Sequence, residues 1–525
     1  MPESALLLSL NRVRRATDRH LEAVAAWMDQ RPMLLYGFLF VVYLLFALRS
    51  IASRPLWFDE LFTFHIAQAP TLRELFRQLR ALDLNPPLSY LLTRFSMHLF
   101  GANALGARIP ETLAFFAAMV FLGRLVARRF GSLYGFAAST MLLASPTGDL
   151  FTEARPYALM VAALALAWWM TDGAAERLTA GRPALLHLGV LLLAGCTALL
   201  SQALAVPAWL LLIAVVLLFR EWRQPRLIAA TALPLLVTPV LRTFIAEHGH
   251  TIFPKSFLPT PTMVFAFYNA RFVREEILLA LTAVVLLAVA GFPALRGGSG
   301  WGLRRPDWAV ALLWIGLPGM LMILFMVTRA AFFYRYGSVA SLGVAAVATA
   351  LLFRWTGGRR SAALIVAVLA LLEGHALPGA LLQLRHPARV LPVSLPCVPC
   401  QIAAEMHLPL VDSNGLTYVE MAHRESPETL ANVFYLQDLN AAHTVAHASI
   451  FDHLDLVQQT FGLADRVVDA SQFEQQHRRF VVYGSYTYPE QWLLRKLRQD
   501  GAHLELLHES TESYADQDTW LVELP

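Results

Sequence analysis

The chain has 525 residues, 57% hydrophobic and 15% charged, with a formal net charge of +4 and a mean hydropathy of +0.50. A single soluble domain does not carry that much apolar sequence, whereas repeated membrane-crossing runs do. Charge is split: residues 391–525 hold 19 Asp/Glu against 7 Lys/Arg, net −12, which leaves +16 on residues 1–390. The basic arginines lie between apolar runs, so they mark membrane topology and anionic lipid and exclude nucleic acid as a partner.

Arg12, Arg14, Arg15, Arg19 and Arg31 precede the first long apolar run, 33–51. That run is long enough to cross a bilayer as a helix. It follows an Arg-rich stretch and has no small-residue cleavage site, so it is not a cleavable signal. Residues 1–32 are read as a cytoplasmic segment. Just beyond the span stands Arg54-Pro55-Leu56-Trp57-Phe58-Asp59-Glu60. Two adjacent acids at a membrane face can stay ionised and still meet a lipid-borne substrate. Asp59 also precedes the amphipathic stretch Leu61–Ile66 and could cap it.

Residues Thr71 to Arg80 read as a surface helix, with Leu72, Leu75, Phe76 and Leu79 on one face. Asn85 to Phe100 begins Asn-Pro-Pro and carries Arg94 and His98, which fits an interfacial helix better than a span. Ten further spans follow, near 108–127, 131–147, 155–172, 184–201, 203–219, 227–246, 276–295, 308–328, 332–353 and 361–378. With about eleven spans in all, alternate loops carry Arg124, Arg128 and Arg129, then Arg177 and Arg182, then Arg220, Arg223 and Arg226, then Arg296, Arg304 and Arg305, then Arg354, Arg359 and Arg360. The positive-inside rule puts these loops and the N-terminus in the cytoplasm. The other face receives Asp59-Glu60, Asn85, Arg108, Glu153-Ala154-Arg155-Pro156-Tyr157, Gln202, Arg329 to Tyr336 and the acidic tail.

The tail alternates strands, at Leu408–Asp412, Asn432–Leu436, Phe480–Tyr483, Leu504–Leu507 and Trp520–Val522, with helices at Leu416–His423, His453–Phe461 and Pro489–Asp500. That pattern is an α/β layer domain spanning 391–525, set apart from a membrane domain over 33–380. It has no Gly-x-Gly-x-x-Gly and no Walker loop, so no nucleotide site is assigned. It is either a lid or docking surface, or a module that recognises the acceptor. Cys196 lies in an apolar run and reads as packing. Cys397 and Cys400 form either a local disulfide or a pair of spare thiols, since a single Cys pair is a poor zinc site.

The outer-face set resembles the membrane glycosyltransferases that use lipid-linked sugars. More narrowly, it is similar to the superfamily of dolichyl-phosphate-mannose protein mannosyltransferases and bacterial aminoarabinose transferases. The matching motifs are Trp57-Phe58-Asp59-Glu60, Asn85-Pro86-Pro87-Leu88, Ala107-Arg108-Ile109-Pro110, Ala154-Arg155-Pro156-Tyr157 and Tyr334-Arg335-Tyr336, within roughly residues 33–350. The resemblance implies the GT-C fold: a mostly α membrane bundle with juxtamembrane helices on its outer face and an outer C-terminal domain. It also implies a polyprenyl-phosphate sugar as donor. Two positions depart from the family: Asn85 stands where aminoarabinose transferases often have Lys, and Gln202 where a His is often found.

Glycosyl transfer needs a base for the acceptor hydroxyl and cations for the departing phosphate. The family places its catalytic acid first in the Asp-Glu pair, so Asp59 is the expected base. Glu60 is expected to orient the acceptor or pair with an arginine, and Glu153 to position the acceptor or form a plain salt bridge. Arginine grips phosphate with a fork of donors. Arg155, Arg335, Arg108 and Arg329 are the phosphate candidates, each weighed against a simple headgroup anchor. Trp57, Asn85, Tyr157 and Gln202 are candidate acceptor or sugar contacts. His65 is the one candidate metal ligand. Because arginines can replace a metal, no cofactor is expected to be required.

The reading is an inverting glycosyltransferase of a bacterial inner membrane with a periplasmic tail, acting on a glycolipid, glycan or protein acceptor. The bacterial assignment rests on 40 Arg against 2 Lys and on compact loops. A polytopic lipid or glycan transporter would instead show ionisable groups at mid-membrane and an internal repeat. A non-catalytic envelope assembly protein would lack the Asp or its arginines.

Overall fold

The computed structural model describes residues 19–52, 54–83, 85–245, 252–269, 302–387, 397–463, 466–510 and 517–525. Its membrane part contains helices α1 (Pro32–Ala52), α2 (Phe58–Ala67), α3 (Leu72–Leu82), α4 (Leu88–Phe100), α5 (Ala104–Phe130), α6 (Ser132–Ala144) and α7 (Tyr157–Thr179). Then come α8 (Leu185–Ser201), α9 (Ala205–Leu218), a broken segment Pro225–Thr243, α10 (Arg305–Thr328), α11 (Ala340–Trp355), α12 (Arg360–Glu373) and α13 (Ala376–Arg385).

The sequence pattern expects about eleven spans, and ten of them fall on described helices; 276–295 lies outside the described residues. Only five are long and apolar enough to cross unaided: α1, α5, α7, Pro225–Thr243 and α10. The pair α12 and α13, bent by 58°, makes a sixth if taken as one span. α6, α8, α9 and α11 are shorter apolar helices. The shortening of α6 has a local cause: Ser145-Pro146 follows its last residue, and a proline cannot continue a helix. The bundle is that of a multi-pass membrane protein.

Small residues let the helices meet closely. A Cβ on Gly135 would lie 2.3 Å from the Gly123 carbonyl oxygen, so α5 and α6 cross with their backbones nearly touching. One end of the bundle is tied by an ionic cluster. Arg129 pairs with Asp172 at 2.5 Å, Arg304 pairs with Glu176 at 2.9 Å, and the Trp168 indole donates to Asp307 at 3.0 Å. The other end carries α2, α3 and α4. On α3, Leu75 and Leu79 are buried and Phe76 half-buried, but Leu72 is 53% exposed, so the apolar face is narrower than its sequence suggests.

The C-terminal part is a six-stranded sheet in the order β3-β2-β1-β4-β6-β5. Its strands are β1 (Leu410–Asp412), β2 (Val433–Gln437), β3 (Val467–Asp469), β4 (Arg479–Gly484), β5 (His503–His508) and β6 (Asp518–Glu523). The first four run parallel and β6 runs antiparallel to both of its neighbours. Helices α14 (Val398–Glu405), α15 (Gly415–Arg424), α16 (Leu454–Phe461), α17 (Ala470–Gln476) and α18 (Leu493–Gln499) accompany it. β3, α14 and α17 are additions to the pattern read from sequence. Cys397 and Cys400 form a disulfide at the start of α14, and Cys196 is free and half-buried.

This domain docks on α2. The Phe58 and Phe451 rings meet at 6.3 Å, the Phe62 and Phe461 rings at 5.2 Å, and Glu420 accepts the Phe58 N–H at 2.8 Å. Ser449 and Ile252 exchange backbone and side-chain hydrogen bonds, which joins the domain to a second outer loop.

Candidate active site

Helix α2 starts where the chain leaves α1. Trp57 is its N-cap and donates its N–H to Glu60 at 3.3 Å, so Asp59 sits inside the first turn and is not the cap. That placement leaves the Asp59 side chain 19% exposed and available for longer-range partners. Arg335, from the short 3₁₀ turn Tyr334–Gly337 before α11, brings Nη2 to 2.5 Å from Asp59 Oδ2. The contact is ionic rather than a well-aligned hydrogen bond, since Oδ2 has no hydrogen-bond partner among the described residues. Oδ1 carries none either. The Arg335 guanidinium lies 5.2 Å from the Trp57 ring, 5.3 Å from Phe333 and 5.6 Å from Tyr157, a cation held among three aromatic faces.

Arg155 precedes α7, with Pro156 at the cap. Its Nη1 donates to Asp83 Oδ2 at 2.8 Å and to the Asp59 main-chain oxygen at 3.1 Å, while Nε stands 4.0 Å from Asp59 Oδ2. Nε is buried without a hydrogen bond. Asp83 is in turn fixed by the Tyr90 hydroxyl at 2.5 Å and the Asn85 amide at 2.8 Å. Gln202 donates to Asn85 at 2.9 Å. A continuous polar chain therefore runs Gln202, Asn85, Asp83, Arg155, Asp59, Arg335. It joins the ends of α3, α4, α7, α8 and α11, elements far apart in sequence. Asp83 and Tyr90, two of its members' anchors, carry no motif signal of their own.

Two candidates are corrected. Arg108 is fully buried, and all of its donors are used: Nε to Glu60 at 2.7 Å, Nη1 to the carbonyls of Ile51 and Arg54, and Nη2 to the Pro55 carbonyl and Glu60 at 2.5 Å. It has no donor left for a phosphate. Its partner Glu60 also accepts the Ala154 N–H at 2.7 Å, so this acid braces the loop and is closed to substrate. Arg329 is exposed, in a left-handed conformation just past α10; its N–H caps the helix on the Phe325 carbonyl, and its side chain makes no hydrogen bond or ion pair among the described residues. It is not part of the cluster.

Glu153 is half-buried beside the cluster. Burial and the nearby Glu60 charge push its carboxyl up to about 7, with Arg335 and Arg54 pulling the other way. His65 faces away from Asp59, because six helical residues turn the side chain by about 240°. It stacks on Phe461 at 4.5 Å and meets His423 at 5.2 Å in the domain interface. Burial and His423 push its pKa down to about 3, so it is neutral. Among the described residues no group of three or more His, Cys, Asp or Glu side chains is placed to hold a metal ion.

Comparison with known proteins follows the same lines. Residues 84–243 match the family model for dolichyl-phosphate-mannose-protein mannosyltransferase. The chain is similar in structure to ArnT from Cupriavidus metallidurans bound to undecaprenyl phosphate, with a TM-score of 0.51 and 14% identity over 93% of this chain and 97% of that one. Against the apo state of the same protein the TM-score is 0.40, at 14% identity over 95% and 98%. No curated protein matches the chain. The fold is that of the GT-C membrane glycosyltransferases. Within it, the match to the mannosyltransferase family model is carried by residues 84–243, and the likeness to ArnT is one of fold.

Proposed function

We propose that the protein is an inverting glycosyltransferase that moves one sugar from a polyprenyl-phosphate donor to an acceptor hydroxyl at the periplasmic face of a bacterial inner membrane. The convergence of Asp59, Arg155 and Arg335 at one end of the bundle is the observation that carries this reading. The tail docks at that same end, and the arginine-rich loops gather at the other.

The reaction is a single displacement. The acceptor oxygen forms a bond to the anomeric carbon as the bond from that carbon to the phosphate oxygen breaks with its electron pair. Asp59 takes the acceptor proton. The phosphate leaves with a second negative charge, which fixed cations stabilise more in the transition state than in the ground state. Arg155, oriented by Asp83, and Arg335, held among its rings, supply those cations. In an inverting displacement the sugar lies between base and leaving group, so donor entry opens the Asp59–Arg335 pair. Asn85 and Gln202 act through Asp83 and not by touching the sugar. Trp57 and Tyr157 support Arg335. No metal is needed for these steps.

The test is transfer by purified protein from a polyprenyl-phosphate sugar, alongside mass analysis of glycolipids and glycoproteins from cells with and without the chain. Loss of a single sugar unit from one envelope component supports the proposal. Unchanged glycans together with altered lipid distribution would favour a transporter instead.

A further inference from the structure

The stretch from Phe151 to Leu159 carries Glu153, Arg155 and Tyr157, and the first turns of α5 hold it at three points. Thr112 donates its hydroxyl to the Phe151 carbonyl at 2.8 Å. Glu60, fixed by Arg108, accepts the Ala154 N–H at 2.7 Å. Glu111 accepts the Leu159 N–H at 2.8 Å. Arg108, Glu111 and Thr112 are spaced by three and four residues, so they share one face of the helix.

Glu111 is 2% exposed and lies within α5, one of the five helices long and apolar enough to cross a membrane. An ionisable side chain there is expensive to bury and calls for a partner and a use. The displacement itself does not use it. Its partner shows what it does. α7 has Pro156 at its N-cap, and proline offers no side-chain acceptor. The first four N–H groups of a helix lack a partner within it, and a capping side chain ordinarily takes the second or third. Leu159 is the third residue of α7, and Glu111 takes its N–H from a neighbouring helix. A carboxylate at that end also complements the helix dipole.

With Glu60 on Ala154 and Glu111 on Leu159, the main chain is gripped on both sides of Arg155. Asp83 fixes the Nη1 end of that side chain. The two acids fix the backbone from which it springs.

We propose that Glu111 is a positioning residue for the donor phosphate: it caps α7 in place of Pro156 and so holds Arg155 where Nε and Nη2 reach that phosphate. The inference rests on Arg155 as a donor-phosphate ligand. Tyr157, the first residue of α7, has its ring 5.6 Å from the Arg335 guanidinium, so a shift of this turn disturbs the surroundings of both cations. Glu111 acts through α7 and does not touch the substrate.

The experiment measures undecaprenyl phosphate affinity and melting temperature on the full-length protein in detergent. The variants are Glu111→Leu, Glu111→Gln, Arg155→Met and the double variant of Glu111→Leu with Arg155→Met. Glu111→Leu, which has no acceptor, should weaken binding by about tenfold or more, the scale for losing a group that orients a ligand-binding residue. Glu111→Gln, whose amide oxygen can still take the Leu159 N–H, should recover most of that loss. The two should melt at similar temperatures, which a purely structural role would not give together with unequal affinity. In the Arg155→Met background, Glu111→Leu should add little, because both changes act through one guanidinium. The proposal falls if Glu111→Leu binds as wild type, if Glu111→Gln is as weak as Glu111→Leu, or if the losses of Glu111→Leu and Arg155→Met add in full. Should Glu111→Leu not fold, Glu111→Asp, which keeps the charge but shortens the reach, takes its place under the same criteria. Loss of binding in Arg155→Met but not in Glu111→Leu strikes this inference alone. A wild type that does not bind undecaprenyl phosphate, or an Arg155→Met protein that binds it as wild type does, strikes the donor role of Arg155 and this inference with it.

Discussion

Arg155 and Asp83 are joined at 2.8 Å, and that bond sets the direction in which Arg155 can act. One Nη1 serves both Asp83 and the Asp59 carbonyl, which leaves Nε and Nη2 without hydrogen bonds among the described residues. An arginine so anchored presents part of its fork to a ligand without spending rotamer entropy when the ligand arrives.

Asp83→Asn should therefore lower turnover by about 10–100-fold, the usual scale for losing a partner that orients a binding group. Donor affinity should fall with it. Asp59→Asn should differ: about 10²–10⁴ in rate, as for a lost general base, with undecaprenyl phosphate affinity retained. Steady-state kinetics and lipid-phosphate binding on both variants separate orientation from proton transfer. Near wild-type turnover in Asp59→Asn would remove the base assignment.

The sequence made the bundle legible because apolar length and arginine punctuation are strong local signals. Asp59, Arg155 and Arg335 were legible through short motifs at span ends. What it could not display was saturation. Arg108 looks as available as Arg155 in one dimension, and only the fold brings the carbonyls of Ile51, Arg54 and Pro55 to it. Asp83 was silent because its importance comes from Arg155, which is 72 residues away in sequence. The strand missed, β3, has three residues, two half-buried and one exposed, and no alternation to read.

The Glu60–Arg108 pair yields a prediction about stability and not about substrate. Both side chains are about fully buried. Removing one partner of such a pair leaves an uncompensated charge and commonly costs about 3–5 kcal/mol. Arg108→Met should lower the melting temperature of the detergent-solubilised protein strongly. Arg335→Met, whose pair is partly open to solvent, should barely move it. An Arg108→Met protein of normal stability that fails to bind undecaprenyl phosphate would return Arg108 to the phosphate site.

Glu153 supplies a pH dependence. Its carboxyl lies at about 7 in the folded protein, chiefly through burial and the Glu60 charge, against an ordinary 4.5. Between those values the folded state holds a proton that the unfolded state has released. Stability from this group is therefore highest below 4.5, falls as pH rises from 4.5 to 7, and levels off above. Glu153→Gln should flatten that part of the melting-temperature profile. A slope unchanged by Glu153→Gln would assign it to another group, with Glu490, also near 7, the next variant to measure.

Arg335 gives the sharpest test of the donor site. Its Nη2 rests 2.5 Å from Asp59 Oδ2, and its guanidinium is flanked by Trp57, Tyr157 and Phe333. Undecaprenyl phosphate, the monoester that leaves, carries more charge than one carboxylate, so its binding should draw Arg335 off Asp59; the donor, a diester with one charge, offers Arg335 two free phosphate oxygens in place of Asp59. Lysine would keep the charge but lose the planar stacking and the fork. Arg335→Lys should therefore bind undecaprenyl phosphate about tenfold more weakly, in line with about 1–2 kcal/mol for a desolvated cation on aromatic faces. Its melting temperature without ligand should stay close to wild type. Undecaprenyl phosphate should also change the tryptophan emission of the wild type, a change that Trp57→Phe removes and Arg335→Lys blunts. Equal undecaprenyl phosphate affinity in Arg335→Lys and wild type would show that the phosphate is held elsewhere, and Arg155 alone would remain its candidate.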